Sequence, residues 1–159
     1  MPTSQYFENI TRALVNFQHL EVILKFYVRD CDKLIQKSVK SSFHYAVREK
    51  EIEKMPLGRL IKEFSQRSNR KDIISALKML NKHRNFVAHS AFLLTVEEQH
   101  DLPKMKEFSQ KVAKVTGAVT LCLHEVYKEL SLVKKEPISR EILDLFQEWK
   151  RLDESSIGG

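Results

Sequence analysis

From residue 4 to about residue 40, apolar side chains return every three or four positions: Phe7, Ile10, Leu14, Phe17, Leu24, Val28, Cys31 and Ile35. That spacing predicts one amphipathic helix of about 35 residues, roughly 50 Å long. The period weakens over residues 41–54, which read as a loop or a frayed helical turn. Pro56 suits the first turn of a short helix whose apolar face is Leu57, Leu60, Ile61 and Phe64. A polar, basic connection follows, with Asn69 as the N-cap of a third helix. Its stripe runs through Ile73, Leu77 and Leu80 and ends near Ser90. Residues 91–94 form a short apolar linker, and Thr95 and Glu98 have the spacing of a capping box. Asp101 and Pro103 open a long fourth helix carrying Met105, Phe108, Val112, Val115, Val119, Cys122, Val126, Leu130 and Val133 on one stripe. Pro137 ends it. Ser139 caps a last helix whose stripe is Ile138, Ile142, Leu145, Trp149 and Leu152, and the tail frays. No strand alternation and no internal repeat interrupts this series. The expected fold is all-α: an up-down helical bundle of about five helices, in one domain. Residues 1–135 form its body, and residues 136–159 a C-terminal helix packed on it with the frayed tail.

Length and composition agree with that outline. A chain of 159 residues can bury one sizeable core, and only four glycines and four prolines suit long helices. No apolar run reaches the ~20 residues of a membrane span, and the N-terminus lacks the basic-then-apolar order of a secretory signal. A cytoplasmic protein away from membranes is expected. Cys31 and Cys122 stand singly inside helical patterns, as buried thiols rather than metal ligands or a disulfide.

Charge adds a direction. The chain carries +6 overall. Residues 136–159 hold six acidic against three basic side chains, net −3, which leaves +9 on residues 1–135. A basic body favours polyanions such as RNA, although a solvated basic surface needs no partner. Lys25, Arg29, Lys33 and Lys37 repeat at i, i+4 along the first helix, a row fit either for an RNA backbone or for solvent.

One segment breaks its own pattern. In residues 77–90, LKMLNKHRNFVAHS, Arg84 stands where the stripe of Leu77, Leu80 and Val87 calls for an apolar side chain. Asn85 follows it, and His89 comes five positions after the arginine. An arginine stem covering apolar surface and a histidine at a helix C-terminus would account for the pair structurally. The chemical alternative is a phosphate site. Glycine-rich phosphate loops, GxSxG elbows and HExxH or other metal-ligand spacings are all missing, so neither a metal nor a cofactor is expected.

An arginine, a polar residue and then a histidine within six residues, at the end of a third helix and before a long fourth one, resembles the signature of the HEPN family of helical domains. The resemblance in pattern spans most of residues 1–135, and its specific part is the six-residue motif. It implies a metal-independent endoribonuclease, a toxin or defence component, whose site is completed across a homodimer and which a cognate antitoxin or regulatory protein can control. Under that resemblance Arg84 grips a phosphate, Asn85 orients the reacting groups, and His89 moves the proton of a ribose 2′-hydroxyl. Lys82 and His83 flank the motif as RNA contacts, with Lys25 and Arg29 as further ones. Glu21, an acidic residue on the first helix's stripe, fixes Arg84, holds the imidazole, or lies at the stripe's edge and reaches water. In one branch of the family a tyrosine, two positions after the histidine, is the target of antitoxin modification; here that position is Ala91, so this route is not expected. The family also contains non-catalytic members, and a helical module for nucleotide or RNA binding or protein interaction is the alternative reading. On a regular helix, five residues leave Arg84 and His89 about 140° apart. Either the helix ends around Ala88, re-aiming His89, or a second chain completes the site.

Overall fold

The computed structural model describes residues 3–90 and 100–134, with isolated helical positions at 144, 147, 148, 150 and 151. The first helix, α1 (Thr3–Ser38), is a single element, as its periodicity predicts. Its buried line is Tyr6, Ile10, Ala13, Phe17, Leu20, Leu24, Tyr27 and Val28, and the predicted stripe residues Phe7 and Leu14 lie at its edge. The last turns leave the core, so Ile35 is exposed.

Residues 41–54 are more ordered than their weak period predicts. A short helix, α2 (Glu49–Glu53), sits within them, anchored by one buried side chain, Ile52. A five-residue helix is too short to display an amphipathic period, which is why the pattern misses it. Next comes α3 (Leu57–Ser65), with Pro56 as its N-cap and Leu57, Leu60, Ile61 and Phe64 buried. The third predicted helix is α4 (Lys71–Asn85), whose N-cap is Arg70 rather than Asn69. No side chain caps this helix; Ser68 Oγ accepts the N–H of the N-cap residue Arg70 at 3.1 Å, which shapes the entry of the chain into α4. A π-helical turn, Phe86–Ser90, continues α4 to the end point predicted for it. The long helix α5 (Leu102–Val133) starts as expected, with Asp101 Oδ1 accepting the Lys104 N–H at 3.1 Å and proline in the first turn. Among the described residues there are no strands. The fold is an all-α bundle, with five α-helices among the described residues. The linker and capping box at residues 91–98 lie outside the described residues, as does most of the C-terminal helix.

Helix directions follow from side-chain pairs. Asn16 donates to Thr120 Oγ1 at 3.3 Å, and Lys134 pairs with Asp30 at 3.4 Å. Both pairs are 104 positions apart, so α1 and α5 run parallel, in their most extensive helix contact. Helix α4 runs the other way. Arg70, at its start, binds Glu125 and Glu129 near the end of α5, each at 3.0 Å. Phe86, just past its end, meets Phe108 near the beginning of α5 with ring centroids 5.8 Å apart. The π turn therefore lies beside the N-terminal parts of α1 and α5.

A buried ionic cluster locks α1 to the α3–α4 connection. Asp32 is fully buried and accepts from Arg67 Nε at 3.1 Å and Nη2 at 2.8 Å. The other guanidinium nitrogen, Nη1, donates to the Glu63 carboxylate at 2.6 Å and to the Glu63 carbonyl at 2.9 Å. Arg48 adds a weaker contact to Glu63 at 3.4 Å. Read along the chain, residues 66–69 look like a solvated polar connection. Neither periodicity nor motif marks Arg67 as nearly buried, because its partners lie on other helices.

Candidate active site at the end of α4

The motif is built by a change of helix type. Through Asn85 the chain follows α-helical geometry, and from Phe86 to Ser90 it widens into a π turn. Val87 holds the turn to the bundle, being fully buried in the common core. Phe86 braces it from the side by stacking near Phe108, with the Lys111 ammonium 3.9 Å from its ring centroid. A π turn carries i→i+5 hydrogen bonds and about 4.4 residues per turn, so each residue advances less than 100°. Three of the five steps from Arg84 to His89 fall within it. The angle between the two side-chain directions then shrinks from about 140° to about 85°. Arg84 is half-buried, and Asn85 and His89 are exposed. The turn thus rotates His89 toward the arginine's side of the helix while Val87 stays inside.

Phe86 packs partly into the core. His83 is half-buried and Lys82 exposed. Among the described residues, no carboxylate pairs with Arg84 and none orients His89.

Glu21 is not in that neighbourhood. The α4–α5 pairs set Arg84 level with about residue 110 of α5, and the constant α1–α5 offset carries that level to about residue 6 of α1. Glu21 therefore lies about 20 Å away along the bundle axis. Its carboxylate pairs with Lys25 at 3.3 Å. Lys25 and Arg29 are more distant still. Arg29 stacks on Phe26, 4.5 Å from the ring centroid, and Lys33 pairs with Glu49 at 3.6 Å. The row of cations on α1 is thus largely occupied by internal partners, and Arg84, Asn85, Lys82, His83 and His89 form the only group of proposed site residues that the fold gathers.

A second basic feature adjoins the motif. Between α3 and α4 opens a cavity of about 400 Å³, lined by Gly58, Ile61, Lys62, Ser65, Lys78, Asn81 and Lys82. Sequence reading singled out only Lys82 of these, because Lys62 sits on another helix and Lys78 belongs to an ordinary solvated face. No group of three or more potential metal ligands occurs among the described residues. No helix among them is long and apolar enough to cross a membrane. The two cysteines are free, and burial pushes the Cys122 thiol up to about 11. His19 is pulled below the ordinary imidazole value by burial, opposed by the charge of Glu148.

Comparison with known family models, with curated proteins and with solved structures finds no match.

Proposed function

We propose that the chain is a HEPN-like endoribonuclease acting as a homodimer, with Arg84, Asn85 and His89 as its site and no metal in the reaction. The observation that carries this reading is the π turn that begins directly after Arg84 and Asn85 and turns His89 toward them. Single π turns inside helices concentrate at functional sites, since they cost regular hydrogen bonding and persist where a side chain must be re-aimed.

The chemistry is a transesterification. His89 takes the proton of a ribose 2′-hydroxyl as that oxygen attacks the adjacent phosphorus, and the bond to the 5′-oxygen breaks. The leaving oxygen takes a proton from a second imidazolium, the partner's His89, so proton and electron pair both balance. Arg84 holds the non-bridging oxygens through paired, charge-assisted hydrogen bonds and offsets the charge that builds on them. Asn85 orients the phosphate. The products are a 2′,3′-cyclic phosphate and a 5′-hydroxyl. A toxin or defence role, a cytoplasmic location and control by a cognate antitoxin or regulatory protein belong to the same reading.

The test is cleavage of RNA by purified protein in EDTA. Wild type yields cyclic-phosphate ends; His89→Ala and Arg84→Ala lose cleavage while light scattering still reports a dimer. Cleavage that persists in His89→Ala overturns the assignment. One observation favours the second reading, a non-catalytic module that binds RNA or nucleotide: Arg84 and His89 have no orienting carboxylate among the described residues. That reading predicts binding without turnover.

A further inference from the structure

The cavity between α3 and α4 concentrates positive charge without compensating it. Lys62, Lys78 and Lys82 line it, and its lining contains no acidic residue. Among the described residues none of the three lysines forms an ion pair. Several other surface cations are matched: Arg59 with Glu51, Arg70 with three carboxylates, Lys33 with Glu49, Lys128 with Glu125. Three ammonium groups around one concavity repel one another, and an anion seated between them relieves that repulsion. The walls also offer neutral polar groups. Gly58 lets α3 come close to Asn81, since a Cβ there would stand 3.2 Å from the amide nitrogen. Ser65 Oγ donates to the Lys62 carbonyl at 2.6 Å, which keeps the oxygen's lone pairs available.

The placement of the groove gives it a direction. Lys78, Asn81, Lys82 and Asn85 are spaced i, i+3, i+4 and i+7 and so share one face of α4. That face leads to the π turn, and His89 lies about 10 Å beyond Lys82 along the helix axis. We propose that the α3–α4 groove is a phosphate track for a single RNA strand, holding backbone phosphates adjacent to the one at His89. The proposal rests on the ribonuclease reading for its substrate class, but it concerns binding and is tested without turnover.

The probe is a fluorescein-labelled oligonucleotide with 2′-O-methyl riboses throughout, which has no attacking hydroxyl. Its affinity is followed by anisotropy between 50 and 200 mM salt for three proteins. These are wild type, the groove variant Lys62→Ser/Lys78→Ser/Lys82→Ser, and a control variant of exposed lysines elsewhere, Lys50→Ser/Lys106→Ser/Lys114→Ser. All replaced side chains are exposed, and thermal melts verify that the variants fold. Three lost contacts reduce the slope of log affinity against log salt by about 2, which is about a hundredfold in affinity at 0.1 M salt. The control keeps the wild-type slope. Equal losses in both variants, or no binding by wild type, overturn the groove. Inorganic triphosphate binding that depends on the three lysines, without oligonucleotide binding, also overturns the strand assignment. Groove-dependent binding by a protein that cuts no RNA refutes the ribonuclease reading and leaves the groove standing; cutting with an unchanged slope does the reverse.

Discussion

Removing the carboxylate of Asp32 tests the bundle's ionic lock directly. Asp32 is fully buried, and Arg67, 12% exposed, gives it two of its guanidinium contacts. In Asp32→Ala the charge of Arg67 stays inside with only Glu63 and Arg48 near it, and three donors, Arg67 Nε and Nη2 and the Tyr45 hydroxyl, lose their acceptor. Breaking a buried pair from one side costs about 3–5 kcal/mol. Glu63 still neutralises part of the charge, which puts the expected loss at the lower end, about 3 kcal/mol. For a chain of this size a urea slope of about 2 kcal/mol per molar converts that into a midpoint lower by about 1.5 M. The melting temperature should fall by about 10 °C. The assay is helical ellipticity against urea at neutral pH. The double replacement Asp32→Leu/Arg67→Met removes both charges, so its loss should fall short of the two single losses summed by at least about 1 kcal/mol. A midpoint for Asp32→Ala within about 0.3 M of wild type, at unchanged slope, refutes the reasoning, because it would mean that water already solvates the guanidinium.

The same cluster sets an acid limit. Burial alone would raise the Glu63 carboxyl, but the hydrogen bond and charge of Arg67, helped by Arg48, outweigh it and hold the group below its usual value of 4.5. Its contribution is therefore complete above about pH 4.5 and is lost as pH falls through the lowered folded value; Arg67→Met should flatten this acid limb of urea midpoint against pH, and an unchanged limb argues against the linkage. Replacing buried Val87 by Ala removes the side chain that seats the π turn, and a turn that reverts to regular α-helix swings His89 back. With the bundle still folded by circular dichroism, RNA cleavage should drop by about tenfold or more, and full activity in Val87→Ala would show that the seated turn does not aim the histidine. Buried Cys122, its thiol pushed up to about 11, should react with a disulfide reagent at pH 8 only when urea unfolds the chain. Rapid labelling in the native protein contradicts its place in the core.

Control of the candidate site passes through packing. Val87 seats the turn, and Phe86 ties it to α5 through Phe108 and Lys111. Because α1 and α5 run parallel and the π turn lies beside their N-terminal parts, the motif lies at the opposite end of the bundle from the Asp32–Arg67–Glu63 cluster. A change to the cluster should alter stability without altering the local geometry of Arg84 and His89.

Much of this was already written in the chain. Helical periodicity is a local property, so the all-α class, the spans of α1 and α5 and the cap at Asp101 follow from spacing alone. The interruption of the α4 stripe by Arg84 was legible for the same reason. Residues far apart in sequence are another matter. Glu21 occupies a stripe position that would suit a partner for Arg84, but which end of one helix meets which end of another depends on contacts 50 to 100 residues apart, and these put Glu21 beside Lys25 and about 20 Å from the arginine. Arg67 looked solvated because both of its carboxylate partners depend on the fold, one across helices and one a turn away on α3. The π turn itself was not foreseen; the angular gap between Arg84 and His89 called for a helix ending around Ala88 or for a second chain. The sequence could state the requirement because the angle per residue is fixed by local geometry. Only the tertiary structure could meet it, because burying Val87 and stacking Phe86 are what hold a less favourable helix type in place.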